Sequence, residues 1–189
     1  MLAIVTGLTG VGKSTVIDHA RDMDSCPEFS VKNYGDILLE LAQEQGLAEN
    51  RDKLTEIPPS KYDDLQEAVP WTINDMSSDE RVVLDTHATL KTPTGYRPGL
   101  PKETIDVLEP DNMAFIKAPA KVIRERRLSD ESRDRAVDPL ARLREQQKMG
   151  IRMASANAVQ AGCPLMPIEN QDGRVDAAAE DLAKILNES

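Results

Sequence analysis

The sequence predicts an α/β fold: a five-stranded parallel sheet with helices on both faces. Three observations predict it. Short β-rich runs recur at Leu2–Thr6, Phe29–Tyr34, Arg81–Asp85, Met113–Ile116 and Leu165–Ile168. Segments with apolar residues at 3.6-residue spacing separate them. Strands alternating with helices build a parallel sheet covered on both sides. At 189 residues and 40% apolar content, the whole chain, 1–189, reads as one domain with a real core.

The elements follow in order. Leu2–Thr6 is apolar and enters a glycine-rich turn. Thr15–Ala20 reads as the first turns of a helix. After the second strand, Ile37, Leu38, Leu41, Ala42 and Gln45 mark a helix that Gly46 stops. Arg51-Asp52 begins a polar connection. Pro58-Pro59-Ser60 opens a long amphipathic helix through Tyr62, Leu65, Ala68, Val69, Ile73 and Met76, with a kink expected at Pro70. Arg81–Asp85 ends in a carboxylate. Thr86–Pro101 reads as one long loop, of a length that usually carries function. Helices are expected at Lys102–Leu108, from Pro119, at Leu140–Ala161 with Gly162 as stop, and at Val175–Leu186. The fifth strand, beside Pro164 and Pro167, belongs at a sheet edge.

The first turn has the pattern G-x-x-x-x-G-K-[ST]: Gly7, Leu8, Thr9, Gly10, Val11, Gly12, Lys13, Ser14, with Thr15 following. It stands between a strand and a helix, the context in which this pattern binds phosphate. Glycines let successive N–H groups turn inward as an anion cradle. The helix adds its positive end. Lys13 can reach the β- and γ-phosphates, and the Ser14 hydroxyl can ligate Mg²⁺. The fold is therefore a three-layer P-loop NTPase type. In such sheets ligands gather at the carboxyl ends of the strands. Gly7, Gly35, Asp85 and the residues after Ile116 and Ile168 should share one rim.

Composition narrows the function. A formal net charge of −10 argues against a duplex nucleic-acid partner. Cys26 and Cys163 lie far apart and read as unpaired thiols of a reducing cytoplasm. No run is long enough to span a membrane, and no secretory leader is apparent. Two histidines, His19 and His87, cannot build a Cys/His zinc cluster.

Four further features have alternative readings. Asp85 can orient Mg²⁺ or cap a strand end. His87 can touch substrate or fill the rim. Tyr34-Gly35 can admit a second nucleotide or form a plain turn. Arg124, Arg126, Arg127, Arg133 and Arg135 can serve a phosphoryl group in flight, since guanidinium forks match its oxygens. They can also be solvated charge on a loop.

With these residues in place, the chain resembles the archaeal type of adenylate kinase, a branch of the P-loop nucleoside monophosphate kinases. The resemblance covers essentially the whole chain. Its marks are Val5–Thr15, Tyr34-Gly35, Asn50-Arg51-Asp52, Val82–Pro101, Arg126–Arg135 and Asn170. It implies that Mg·ATP and AMP give two ADP, in a cytoplasmic homo-oligomer, often a trimer. It implies catalytic roles for Lys13, Arg127, Arg133 and Arg135, an acceptor segment over about 35–77, and a short lid over about 129–136. Tyr34, Gly35, Arg51, His87 and Lys91 would face AMP. One departure stands out. The helix Asp36-Ile37-Leu38-Leu39-Glu40 lacks the early arginine that more widespread adenylate kinases use for AMP phosphate. Arg51 and Lys91 are the alternatives here.

Three rival readings make different demands on the sequence. A GTP switch needs Asn/Thr-Lys-x-Asp, which is absent. A P-loop ATPase needs a water-positioning group near Asp85, for which only His87 is available. A sibling kinase for another monophosphate differs from the favoured reading only through the resemblance.

Overall fold

The computed structural model describes residues 1–78, 80–92, 95–129 and 138–188, without the side chains of residues 51, 52, 55 and 59. Five parallel strands form the main sheet: β1 (Leu2–Gly7), β2 (Ser30–Asn33), β3 (Val82–Asp85), β6 (Asn112–Lys117) and β7 (Leu165–Glu169), in the order β2-β3-β1-β6-β7. A separate antiparallel pair joins β4 (Thr89–Thr92) to β5 (Gly95–Pro98). The helices are α1 (Lys13–Arg21), α2 (Tyr34–Glu44), α3 (Pro59–Ser77), α4 (Lys102–Leu108), α5 (Ala120–Ser129), α6 (Leu140–Ala161) and α7 (Val175–Asn187). A 3-10 segment, Arg51–Glu56, links α2 to α3.

Strand β1 shows why the first run is apolar without alternation. Ala3 and Val5 enter a core with Val16 and Ile17 of α1, Ile123 of α5 and Leu182 of α7. Leu2 and Ile4 enter a second core with Ile37 of α2, Leu65 and Ile73 of α3, and Ile105 of α4. Both faces of a central parallel strand are buried, so every position favours an apolar side chain. The expected edge strand, β7, is at the edge.

The expected rim is present. Register pairs Val5 with Asp85 and Gly7 with Ile116, while Asn33 pairs with Asp85 and Ile116 with Ile168. The carboxyl ends of all five strands therefore meet along one edge. Helix α3 continues through Pro70. Gly162 closes α6 with φ 68°, the left-handed cap expected of a glycine stop.

Two expectations are corrected. Tyr34 does not end the second strand. It opens α2, because the Asn33 side chain accepts from the Gly35 N–H at 3.0 Å and caps the helix there. Thr86–Pro101 is not a continuous loop, since β4 and β5 lie within it. The ribbon packs few side chains, and Thr-Leu-Lys-Thr and Gly-Tyr-Arg-Pro lack the apolar alternation that betrays a half-buried strand.

The ribbon returns to the sheet rim through Gly99, whose N–H donates to the Ala88 carbonyl at 2.9 Å. A Cβ at Gly99 would collide with the His87 carbonyl. Backbone-to-backbone contact of this kind leaves no flexible atom to yield. Gly99→Ala is expected to lower stability by roughly 2 kcal/mol, a melting temperature about 4–8 °C lower, in a thermal denaturation experiment. An unchanged melt would show that the rim rearranges freely.

Candidate functional site

The site starts from the loop between β1 and α1. Gly12 adopts φ 86° and caps α1 from the left-handed region, which a glycine tolerates. No side chain caps α1, and its first turn holds no acidic residue. The first-turn N–H groups thus lack intrahelical partners and remain available to an anion.

A loop that turns N–H groups inward turns carbonyls outward, and those carbonyls need donors. Distant parts of the chain supply them. The Gly7 carbonyl accepts from His87 Nδ1 at 3.2 Å, so that nitrogen carries the proton in this contact. The Leu8 carbonyl accepts from the Val11 N–H at 3.2 Å. The Thr9 carbonyl accepts from Arg127 Nε at 2.9 Å. The Val11 carbonyl accepts twice at 2.8 Å, from Arg126 Nη1 and Asn170 Nδ2. Arg126 is fixed in turn by Asp172, 2.7 Å from its Nη2. Asn170 is 2% exposed and sits against Gly12, where a Cβ would come within 2.5 Å of its Nδ2.

Lys13 opens α1 and is buried, with Nζ 3.4 Å from Asp85 Oδ1. Burial pushes its ammonium below the usual lysine range, and Asp85 opposes that shift. Asp85 Oδ1 is itself buried and accepts no well-formed hydrogen bond among the described residues. An under-coordinated carboxylate oxygen at the end of β3 suits a hard cation or its water. Ser14 is exposed on the first turn of α1. Among the described residues no three His, Cys, Asp or Glu side chains form a metal cage. These residues therefore fit an ion such as Mg²⁺ that arrives with phosphate oxygens and takes few protein ligands.

Beside the loop lies a cleft of about 370 Å³, lined by Gly7, Leu8, Thr9, His87, Lys91, Tyr96, Arg127, Asp138 and others. It brings together six of the residues singled out by sequence: Gly7, Leu8, Thr9, His87, Lys91 and Arg127. Tyr34 is placed elsewhere. It is 6% exposed, packs in the second core, and points its hydroxyl at the Gln66 carbonyl 3.5 Å away. Burial pushes that hydroxyl up to about 12, offset in part by Thr104. The Tyr34 ring, at the start of α2, faces inward because α3 and α4 cover it. Gly35 contributes its N–H to the helix cap. Arg51 begins the 3-10 segment, and its side chain lies outside the described residues. So do Arg133 and Arg135, with all of the expected lid after Ser129.

Asp138 was missed by sequence reasoning. It borders α6 and faces Lys91, Arg127, Arg142 and Gln146. Nothing in its local pattern, Val137-Asp138-Pro139, separates it from a helix-entry residue.

Comparison with known proteins decides the family. A model described as an AAA domain matches residues 6–144. An adenylate kinase of Methanothermobacter thermautotrophicus is 35% identical, over 98% of this chain and 98% of its own. One of Methanopyrus kandleri is 37% identical, over 97% and 96%. The chain belongs to the adenylate kinase family. The fold agrees: a shikimate kinase of Bacteroides thetaiotaomicron superposes with a TM-score of 0.54 at 14% identity, covering 99% of this chain and 98% of that one.

Adenylate kinases are nucleoside monophosphate kinases, and the carbonyl ties described above are how this member holds its phosphate loop open. Two donors on one carbonyl partly cover for each other. Arg126→Ala and Asn170→Ala are each expected to cost about 1 kcal/mol in urea unfolding. The double variant should exceed their sum by roughly 0.5 kcal/mol or more. Strict additivity in the four-protein cycle would show that Val11 does not couple them.

Proposed function

We propose that the chain transfers a phosphoryl group reversibly from ATP to AMP, giving two ADP, with Mg²⁺ accompanying ATP. One observation carries this reading: a complete phosphate loop, with Lys13 paired to Asp85, forms one wall of a cleft that also presents Lys91 and Arg127. A loop for the donor and a cationic cleft for the acceptor suit transfer between two phosphates better than hydrolysis.

In this mechanism the loop amides and the start of α1 hold the donor phosphates. Lys13 exchanges Asp85 for the β- and γ-phosphate oxygens. Ser14 and Asp85 would hold the metal, which when bound neutralises charge on those oxygens. Arg127, with Arg133 and Arg135 from the lid over about 129–136, supplies guanidinium forks to the transferring group. The acceptor segment, about 35–77, and His87 bound the AMP side, with Lys91 or Arg51 on its phosphate. No general base is needed, because the AMP phosphate is already a competent nucleophile and the residues position it. The same reading makes the protein a cytoplasmic homo-oligomer, a trimer by its resemblance. It needs no nucleic acid, and no described helix is long and apolar enough to cross a membrane.

A panel of nucleoside monophosphates tests the acceptor. With ATP and Mg²⁺, AMP is expected to give the highest rate of ADP formation, against a negligible ATP-only blank. A blank equal to the AMP rate would make the protein an ATPase. Lys13→Ala should lower kcat by about 100- to 1,000-fold in a chain that circular dichroism shows to be folded, the scale of a lost preorganised charge donor.

Asp85→Asn tests the metal side. The Mg²⁺ concentration at half-maximal rate should rise and kcat should fall, whereas the melting temperature moves little. A large drop in melting temperature with unchanged Mg²⁺ dependence would make Asp85 a structural partner of Lys13 only.

A further inference from the structure

One carboxylate collects the cations of the cleft beside the phosphate loop. Asp138 Oδ1 lies 3.5 Å from Lys91 Nζ and 3.9 Å from Arg142 Nη1. Its Oδ2 lies 3.5 Å from Arg127 Nη1 and accepts from Gln146 Nε2 at 3.0 Å. These partners come from β4, α5 and α6, so three elements converge on one anion. The Asp138 side chain is only 19% exposed. Burial raises its carboxyl, but Gln146, Lys91 and Arg127 outweigh that and hold it below the usual range.

The contacts are looser than a formed charge-assisted bond, which spans about 2.7–2.9 Å. Loose pairs at a cleft wall can exchange one anion for another. A carboxylate and the oxygens of a phosphate present the same acceptor fork to guanidinium and ammonium groups. Arg127 also ties the Thr9 carbonyl, which places this cation group directly against the phosphate loop.

We infer that Asp138 is a positioning residue that stands in for phosphate. It occupies the coordination that a nucleotide phosphate takes on binding, and it yields Lys91 and Arg127 to that phosphate. The nucleotide identity of the incoming phosphate rests on the kinase reading above. Two effects follow. Without an anion, Lys91, Arg127 and Arg142 would repel one another and splay, so Asp138 keeps them gathered on one point. It also competes with every incoming phosphate, which holds ground-state affinity down and gives departing product a replacement partner. Interactions withheld from the ground state favour turnover over tight binding.

The test reads charge alone. Mg²⁺-free inorganic tripolyphosphate is titrated calorimetrically into wild type, Asp138→Asn, Asp138→Ser and Asp138→Glu, each with a melt to show folding. Removing the competing charge in Asn or Ser should tighten tripolyphosphate roughly threefold to thirtyfold, the scale of two or three loose ion pairs released. Its salt dependence should steepen, and Glu should stay near wild type. In steady-state assays the same two neutral variants should show lower nucleotide KM without higher kcat. In an Asp138→Asn, Lys91→Met double variant, part of the gain should vanish, because one released cation is gone. Equal or weaker tripolyphosphate binding by the folded neutral variants overturns the inference. The kinase reading fails separately, if wild type makes no ADP from ATP and AMP, and the tripolyphosphate comparison is unaffected by that result.

Discussion

The structure depends on one constraint: a backbone that points its N–H groups at a ligand must find donors for the carbonyls it thereby turns away. In the loop from Gly7 to Gly12 the side-chain donors are His87, Arg127, Arg126 and Asn170, together with the backbone N–H groups of Val11 and Val16. They come from the end of β3, from α5 and from the residue after β7. The loop is therefore a product of the whole sheet rim rather than a local turn. A shift in any of these elements would move the carbonyls first and the phosphate cradle with them. Burial raises the stakes, since an unmet carbonyl inside the protein forfeits its hydration without return.

The rim explains why those elements can reach the loop at all. Parallel strands in the order β2-β3-β1-β6-β7 put β1 at the centre, with β3 and β6 on either side. The segments leaving β3, β6 and β7 then pass within side-chain reach of the turn that leaves β1. Two-faced burial of the sheet, in the cores built on Ala3 and Val5 and on Leu2 and Ile4, holds the strands between the helix layers. The packing that makes the strands apolar is thus the packing that holds the donors in place.

This is also why the sequence disclosed the site unevenly. The loop was legible because its chemistry is local: Gly, Gly, Lys and Ser at fixed offsets between a strand and a helix. The sheet was legible because buried parallel strands are apolar at every position. The donors were not legible as donors. Arg126 and Arg127 drew notice as phosphate ligands, and His87 as a substrate contact, yet each is tied to a loop carbonyl. A hydrogen bond between residues about 80 to 160 positions apart leaves no local pattern. Tyr34 shows how a local pattern leaves a side chain's direction open. A tyrosine beside a glycine at a strand end resembles a rim residue, but the Asn33 cap starts α2 one residue earlier and turns the ring into the core. Asp138 was invisible because its distant partners, Lys91 on β4 and Arg127 on α5, reach it only in the folded chain.

An acidic chain that binds polyanions would seem to work against itself. With a net charge of −10 the long-range field repels nucleotides. Screening limits that repulsion, for the Debye length is about 8 Å at physiological ionic strength. Within that distance local pairs matter more than the net charge, and the rim carries the cations Lys13, Lys91, Arg126 and Arg127. Each of these lies against a carboxylate, respectively Asp85, Asp138, Asp172 and Asp138. The pairing keeps the cations from destabilising the ligand-free protein through mutual repulsion. It also means that the site carries little net charge until a phosphate arrives. Attraction then develops by exchange of one anion for another rather than by approach to a bare positive patch. Such a site can be both stable without ligand and selective for phosphates, because only a ligand able to replace several carboxylate contacts at once recovers what the exchange gives up.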